Sequence, residues 1–576
     1  MKKGSLFVDL EADESGLADF KYDLSKGIYI GAGVKLVQET EEDEGVIPMF
    51  IPWGDLAGHL SVYGTTRVGK TRLMVSMIRQ VVLLGWDILL VEPKGAIGGK
   101  KDKDGKDIGA GQETLAWVTE FAEEAGRLRD IRYISPKFPK LSLKFNPLYG
   151  MSNEEIASLV ATIIPAKEEF FAAMGYQVTM SVLLGLDFLE KAEGREGVNK
   201  LIEEEYRRVY SGQVNIIDEI SGVSNPDLAT RVAFNMNLKE GLNNATPPYR
   251  SLVTFADIAT YATQEGVLAI LDQVKRVTTD QFNTDSEVDA SDLKTLRDES
   301  IRALTEMAEK DKQYYSKVSS SFNIVMQQLS TGALGQLLCT VKINPVTDGF
   351  LREEHGQILI IQPFPLIFKN ASDAFIRVFF SVITSLYGNI GASGRATPRK
   401  IALFVDEGGA VMYEGVEQLF NKAGGLGLRI FIFTQSFADY EAELGPEISK
   451  IVNDNTNIKI YLRMNDNDSR DKVSQSFGKI MQLSTGFMGS KDNMRISSAE
   501  NEKDLLLPSH MGDMKNQEFL LQYGNGKFYC CAPVQPDPSF LYKMPRIEME
   551  STYLDVGSKF LNSVERGTDV SEALEL

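Results

Sequence analysis

The chain has 576 residues, a formal net charge of −19 and a pI near 4.9, enough length for roughly three to four domains with sizeable cores. Such acidity excludes a surface that holds nucleic acid everywhere and confines any such contact to a local lining. Three badly spaced cysteines, Cys339, Cys530 and Cys531, and three scattered histidines, His59, His355 and His510, exclude a disulfide framework, argue against a zinc or histidine metal cluster and point to a reducing compartment.

The start, Met1-Lys2-Lys3-Gly4-Ser5, runs into acids rather than an apolar core with a cleavage site, so no secretory signal is expected. No stretch reaches the ~18 consecutive apolar residues of a membrane span, and the expectation is a chain with no span. Residues 1–57 read as a β-rich lead-in. Acid clusters from Asp9 to Asp19 and from Glu39 to Glu44, expected as solvated loops, flank the alternating Gly27-Ile28-Tyr29-Ile30-Gly31, and Pro48 and Pro52 shape the approach to the first core strand.

Gly64-Thr65-Thr66-Arg67-Val68-Gly69-Lys70-Thr71 matches G-x-x-x-x-G-K-[ST] at every fixed position. His59 to Tyr63 before it suits a short buried strand, and Met74, Met77, Ile78, Val81 and Val82 after it fall on one helical face until Gly85. The glycines let successive N–H groups turn inward on phosphates, Lys70 reaches the β and γ oxygens, and the Thr71 hydroxyl suits Mg²⁺ at a helix N-terminus. Residues 64–71, with Arg72 after them, are the assigned nucleotide contacts. Trp86 to Val91 predicts a second buried strand ending at Glu92-Pro93-Lys94-Gly95, where Glu92 or Lys94 either meets nucleotide or metal or simply turns the chain. Residues 98–107 read as a solvated hairpin tip.

Ser152-Asn153-Glu154-Glu155 is a capping box that opens a mostly helical stretch to about residue 340. Long helices are predicted over Glu168 to Leu189, Phe255 to Val274 and Ile301 to Leu329, with Phe170, Phe171, Met174 and Met180 as core. The inference is an all-α domain, 151–345, inserted between two parts of an α/β nucleotide-binding domain, 58–150 and 346–545. Strands then return at Gln357 to Gln362 and Lys400 to Val405, with a helix over Ala371 to Tyr387 between them.

Ile401 to Val405 runs into Asp406-Glu407, the pattern of a Walker B strand. There Asp406 suits Mg²⁺ and Glu407 the attacking water. The strand Arg429 to Thr434 ends at Gln435, placed to hydrogen-bond a γ-phosphate or attacking water or else to meet solvent. Asn457 to Leu462 leads to Arg463; that arginine and Arg470 are candidate fingers toward a neighbouring subunit, with a surface salt bridge as the ordinary alternative. Residues 546–576 form an acidic tail.

In order, the P-loop, Glu92-Pro93-Lys94-Gly95, Phe145-Asn146-Pro147-Leu148, the helical insertion, Leu403-Phe404-Val405-Asp406-Glu407 and Thr434-Gln435-Ser436 resemble the type IV secretion coupling proteins. This is the TraD/VirD4/TrwB-like family within the FtsK/HerA group, with TraD of integrative conjugative elements most similar. The resemblance implies a RecA-like P-loop ATPase domain interrupted by an all-α domain, using ATP and Mg²⁺. It further implies a homo-hexamer, or a monomer in isolation, at the cytoplasmic face of the inner membrane through partners. Such proteins pass relaxase-bound single- or double-stranded DNA, or protein substrates, to channel components. An FtsK/HerA-like DNA translocase and a nucleotide-gated adaptor for protein effectors are the alternative readings.

Overall fold

The computed structural model describes residues 23–37, 46–93, 96–101, 107–164, 169–193, 253–278, 290–353, 356–367, 369–394, 396–413, 415–490, 493–539 and 541. The expected acid clusters before residue 45, Lys94 and Gly95, the 102–106 hairpin tip, His355 and the acidic tail lie outside them. In chain order come β1 (Ile28–Lys35), β2 (Ile47–Ile51), β3 (Leu60–Tyr63), α1 (Lys70–Leu83), β4 (Asp87–Val91), a hairpin of β5 (Ala96–Lys101) and β6 (Asp107–Gln112), α2 (Glu113–Glu124) and β7 (Ile131–Ile134).

Between Ile134 and Ile358 the described residues form helices and no strand. They are α3 (Asn153–Ile163), α4 (Glu169–Glu193), α5 (Phe255–Tyr261), α6 (Gln264–Arg276), α7 (Ala290–Ala308), α8 (Lys312–Ser330), α9 (Gly332–Leu338) and α10 (Pro345–Leu351). Ser152 opens α3 as expected: its hydroxyl accepts from the Glu155 amide at 3.2 Å, and the Glu155 carboxylate accepts from the Ser152 amide at 2.7 Å. Two predicted helices are each broken. Thr263 caps α6, accepting from the Gly266 amide at 3.0 Å, and Asp311 accepts from the Gln313 amide at 3.0 Å at the start of α8; a side-chain acceptor there competes with the helical ladder. The core face of α4 is Val178, Val182, Leu183 and Phe188, whereas Phe170 is exposed and Phe171, Met174 and Met180 are only partly covered.

The α/β pattern resumes with β8 (Ile358–Ile361), α11 (Lys369–Ser393), β9 (Ile401–Val405), α12 (Glu417–Lys422), β10 (Leu428–Thr434), α13 (Phe437–Asp454), β11 (Ile458–Leu462) and α14 (Asn467–Phe477). A separate hairpin, β12 (Lys479–Ser490) and β13 (Asn493–Asp504), and α15 (Pro508–Asp513) precede the closing pair β14 (Glu518–Tyr523) and β15 (Gly526–Cys531). Segments at Phe170–Ala192 and Ala371–Ser393 have the length and apolarity of a membrane span, which a search for unbroken apolar runs passes over. Much of their apolar surface lies in the core, including Phe375, Val378, Phe379, Val382 and Ile383.

Among the described residues one sheet of eleven strands organises the fold, in the order β2-β1-β15-β14-β11-β3-β10-β9-β4-β8-β7. From β11 to β7 neighbouring strands are parallel, and from β14 outward the pairing is antiparallel. The lead-in strands β1 and β2 therefore extend the nucleotide domain's own sheet, through β15. Period-two alternation divides the core. In β9, Ala402 and Phe404 pack with α1 and α2, while Ile401, Leu403 and Val405 face α11 and the helical insertion. Burial on both faces explains why the parallel strands read as unbroken apolar runs.

Candidate nucleotide site

The strand order puts the motif residues on one rim. At the carboxyl ends of β11, β3, β10, β9, β4 and β8 stand Arg463, Gly64, Gln435, Asp406, Glu92 and Gln362 in that sequence. The strand carrying Gln435 lies between the P-loop strand and the Asp406 strand, paired with both. Backbone bonds lock the rim: Gly64 N–H to Thr434 O at 3.2 Å, Thr65 N–H to Arg463 O at 3.0 Å, and Asp406 N–H to Val91 O at 2.9 Å. Ligands of open α/β sheets bind at such strand ends.

The loop after β3 needs its glycines. Gly69 has φ 110°, and a Cβ there would come 3.2 Å from Gln517 Cγ; a Cβ on Gly64 would come 2.8 Å from that of Leu462. Thr66 and Arg67 lie exposed at the crest, Arg67 at φ 62°, and Val68 is buried. Lys70, 6% exposed, folds its ammonium back onto the loop, donating to the carbonyls of Gly64 and of Thr65, the latter at 2.9 Å. Those carbonyls occupy the cation where phosphate oxygens compete for it. Thr71, half-buried, is the second residue of α1. The amides that open α1 point along a helix dipole that favours anions.

Asp406 is 1% exposed. Glu407 follows in the left-handed region at φ 59° and ψ 66° and begins a short 3-10 turn, Gly408–Val411. A non-glycine residue there costs of order 1–3 kcal/mol and persists where the surroundings hold it, commonly at functional sites. Among the described residues no cluster of three or more His, Cys, Asp or Glu forms a metal site. Thr71 and Asp406 instead offer the one or two protein oxygens that suit Mg²⁺ when phosphates and water complete its shell. The donor set thus fits a nucleotide with its metal.

Glu92 has a different part. It is 4% exposed and accepts from Thr114 Oγ1 at 3.0 Å and Gln362 Nε2 at 2.8 Å. Gln362 Nε2 also donates to Gln112 Oε1 at 2.9 Å, and Gln362 Oε1 accepts from the Tyr133 hydroxyl at 2.8 Å. Burial, with the Glu92 carboxylate beside it, pushes Tyr133 far above its ordinary pKa and keeps it a donor. The residue joins the ends of β4, β8 and β7 rather than only turning the chain.

Arg72 turns away from the phosphate loop. Its guanidinium donates to Gln535 O and the Asp537 carboxylate and lies over the Trp117 ring, so the side chain assigned to the nucleotide instead holds the segment after β15. Gln435 is exposed at the rim. The Arg463 guanidinium donates to Met514 O at 3.4 Å and Asn516 Oδ1 at 3.1 Å, while Arg470 Nε donates to Met464 O at 2.7 Å.

Two residues not singled out in the sequence belong to the rim. Gln517, at φ 72°, donates its amide to Val68 O at 2.8 Å; no local motif announces it. Asp439 accepts at one oxygen, Oδ2, from Thr434 Oγ1 at 3.2 Å and from the Gln435 and Ser436 amides at 3.0 Å each. Ser436-x-x-Asp439 is a capping-box pattern, which is the signal that finds it.

Residues 400–516 match a family model described as the TraM recognition site of TraD and TraG. No curated protein matches the chain by sequence. Among solved structures, the unbound monoclinic form of the bacterial conjugative coupling protein TrwBdeltaN70 superposes with a TM-score of 0.50 at 13% identity, covering 87% of this chain and 88% of that one. The plasmid coupling protein TrwB in complex with the non-hydrolysable GTP analogue GDPNP gives a TM-score of 0.50 at 12% identity, over 90% of this chain and 97% of that one. These likenesses show the fold, a RecA-like P-loop domain with a helical domain. In its family segment and in its fold, this chain is similar to the TraD/TrwB-type coupling proteins.

Proposed function

We propose that this chain is an ATP-driven coupling protein of a conjugative type IV secretion system, receiving relaxase-bound DNA or a protein substrate and driving it to the secretion channel. The observation that carries the reading is the meeting of Lys70 and Thr71, Gln435, and Asp406-Glu407 at the ends of three adjacent parallel strands, β3, β10 and β9. Asp406 and Glu407, and Gln435 with them, lie inside the segment matched to the TraM recognition site, which supports a relaxosome partner.

In this reading Lys70 and the first amides of α1 bind the β- and γ-phosphates of ATP, and Thr71 and Asp406 hold Mg²⁺. The metal supplies charge neutralisation of the phosphates. Glu407 takes a proton from the attacking water, Gln435 orients that water, and Arg463 serves a neighbouring subunit in a homo-hexameric ring. The ring sits at the cytoplasmic face of the inner membrane through its partners. The likeness to a TrwB structure holding a nucleotide analogue supports nucleotide at this rim; the preference for ATP is part of the proposal.

The test is ATP hydrolysis without DNA, with single-stranded DNA and with double-stranded DNA at two salt concentrations. Stimulation by single strands that weakens with salt is expected, because phosphate contacts release counterions. Hydrolysis indifferent to DNA at both concentrations overturns the DNA reading. If a protein substrate then changes the rate, the adaptor reading takes its place, as the net charge of −19 favours.

A further inference from the structure

We propose that Asp439 is a positioning residue of the rim, which fixes Gln435 between the two motif strands and couples it to the turn carrying Glu407. The inference rests on the nucleotide-hydrolysing reading above. A capping box asks of its third residue only that it accept from the N-cap amide, here that of Ser436. Asp439 does more. The same Oδ2 also takes the Gln435 amide at 3.0 Å and the hydroxyl of Thr434, the last residue of β10, at 3.2 Å. Three donors thus converge on one carboxylate oxygen, and hydrogen bonds to an ionised acceptor are about twice as strong as neutral ones. The backbone of Gln435 is held while its side chain stays exposed at the rim.

The far side of Asp439 meets the other motif. A Cβ added to Gly409 would lie 3.1 Å from Asp439 Cβ and 3.6 Å from its carbonyl oxygen, so the turn that starts at Glu407 runs directly against the start of α13. Phe437, the first residue of α13, packs its ring 4.4 Å from that of Tyr63, the residue before Gly64. The P-loop strand, the Glu407 turn and Gln435 therefore all bear on one helix start. Gln435 and the Glu407 turn meet at Asp439 itself, while the P-loop strand meets the same helix start through Phe437, and close packing lets such an interface transmit strain.

The experiment is Mg²⁺–ATP hydrolysis and nucleotide affinity of the full chain carrying Asp439→Ala, Asp439→Asn, Gly409→Ala, Gln435→Ala or the Asp439→Ala/Gln435→Ala pair. Asp439→Ala is expected to lower kcat about 10- to 100-fold, with nucleotide affinity within about twofold of wild type. Asp439→Asn keeps an acceptor oxygen and recovers most of the rate. Gly409→Ala lowers kcat without touching any hydrogen bond, which keeps the test decisive if Asp439→Ala fails to fold. In the Gln435→Ala background, Asp439→Ala adds less than about twofold if it acts through Gln435. Ser152→Ala removes a comparable capping box far from the rim and keeps the wild-type rate. An unchanged kcat in Asp439→Ala, or the same loss in the presence and absence of Gln435, overturns the inference while leaving the hydrolytic reading intact. A wild-type chain that binds and hydrolyses no nucleotide overturns both.

Discussion

The two ends of the parallel sheet bury polar groups to opposite effect. At the amino end, Asp87 is fully buried and accepts from the Gln357 amide at 2.7 Å and Arg399 Nε at 3.0 Å, with Arg127 Nη2 3.9 Å away and itself paired with Asp130. His59 is equally enclosed, its Nε2 against Phe420 O at 3.0 Å and its Nδ1 accepting from the Ile430 amide at 3.2 Å. Side chains there pair with one another, although Asp87 Oδ2, Arg127 Nη2 and Arg399 Nη2 are buried without a hydrogen-bond partner among the described residues. At the carboxyl end, Lys70 and Arg463 lean on main-chain carbonyls, and Arg67, Glu407, Gln517 and Phe364 all take positive φ. His59 takes positive φ as well, at 58°, so strain marks both ends; the amino end meets its charges with side chains, whereas the carboxyl end leaves charge where a phosphate ligand fits.

That contrast can be broken in order of effect. On the proposed reading Asp406→Asn removes the carboxylate that would hold Mg²⁺, and kcat/KM for Mg²⁺–ATP should fall by about 10³ or more, since a bound metal is worth several kcal/mol of charge stabilisation. Steady-state rates at varied Mg²⁺ concentration check it, and unfolding by urea should change little. Arg399→Met acts at the other end. It strips the main cation from a carboxyl that burial already pushes up, and urea unfolding should show a loss of about 3 kcal/mol with KM for nucleotide unchanged.

His59 supplies a pH test of the amino end. Burial lowers its pKa from 6.5 to about 4, partly countered by the Phe420 carbonyl and assisted by Arg429. Its neutral form satisfies both neighbours, whereas a proton on Nδ1 would face the Ile430 N–H. Between those pH values the unfolded chain binds more protons than the folded one, so stability rises with pH. The contribution is full above about pH 6.5 and is lost as pH falls toward 4, on the order of 3 kcal/mol. Urea titrations at pH 7 and pH 5 should differ by about 2 kcal/mol of it, and His59→Gln should flatten the difference. The smallest effect belongs to Arg72→Ala, which should cost about 1 kcal/mol by releasing Asp537 while leaving nucleotide affinity at the wild-type value; a large affinity loss would return Arg72 to the ligand.

What the sequence displayed was local chemistry. Gly64 to Thr71 and Asp406-Glu407 announce themselves because their spacing matches what phosphate and metal ligation require. The order of strands is not local: that β10 lies between β3 and β9 depends on crossovers across the sheet, so Gln435 was legible as a strand end but not as a residue between the two motifs. Short polar breaks were harder. Thr263 and Asp311 each end one helix and cap the next within an otherwise continuous apolar pattern. The antiparallel extension was also missed, although Gly524, at φ 57°, opens the two-residue turn joining β14 and β15, as glycine does in type II′ hairpins. Arg72 shows the limit of motif extension: one residue past Thr71, the helix has turned its side chain to a different neighbour.

The most direct measurement is calorimetric binding of Mg²⁺–ATP, paired with hydrolysis rates, for wild type, Lys70→Ala and Glu407→Gln. The account predicts that Lys70→Ala loses both binding and hydrolysis, while Glu407→Gln keeps binding and loses roughly 10²- to 10⁴-fold in rate as a missing general base. Wild-type binding and turnover in both variants would contradict it.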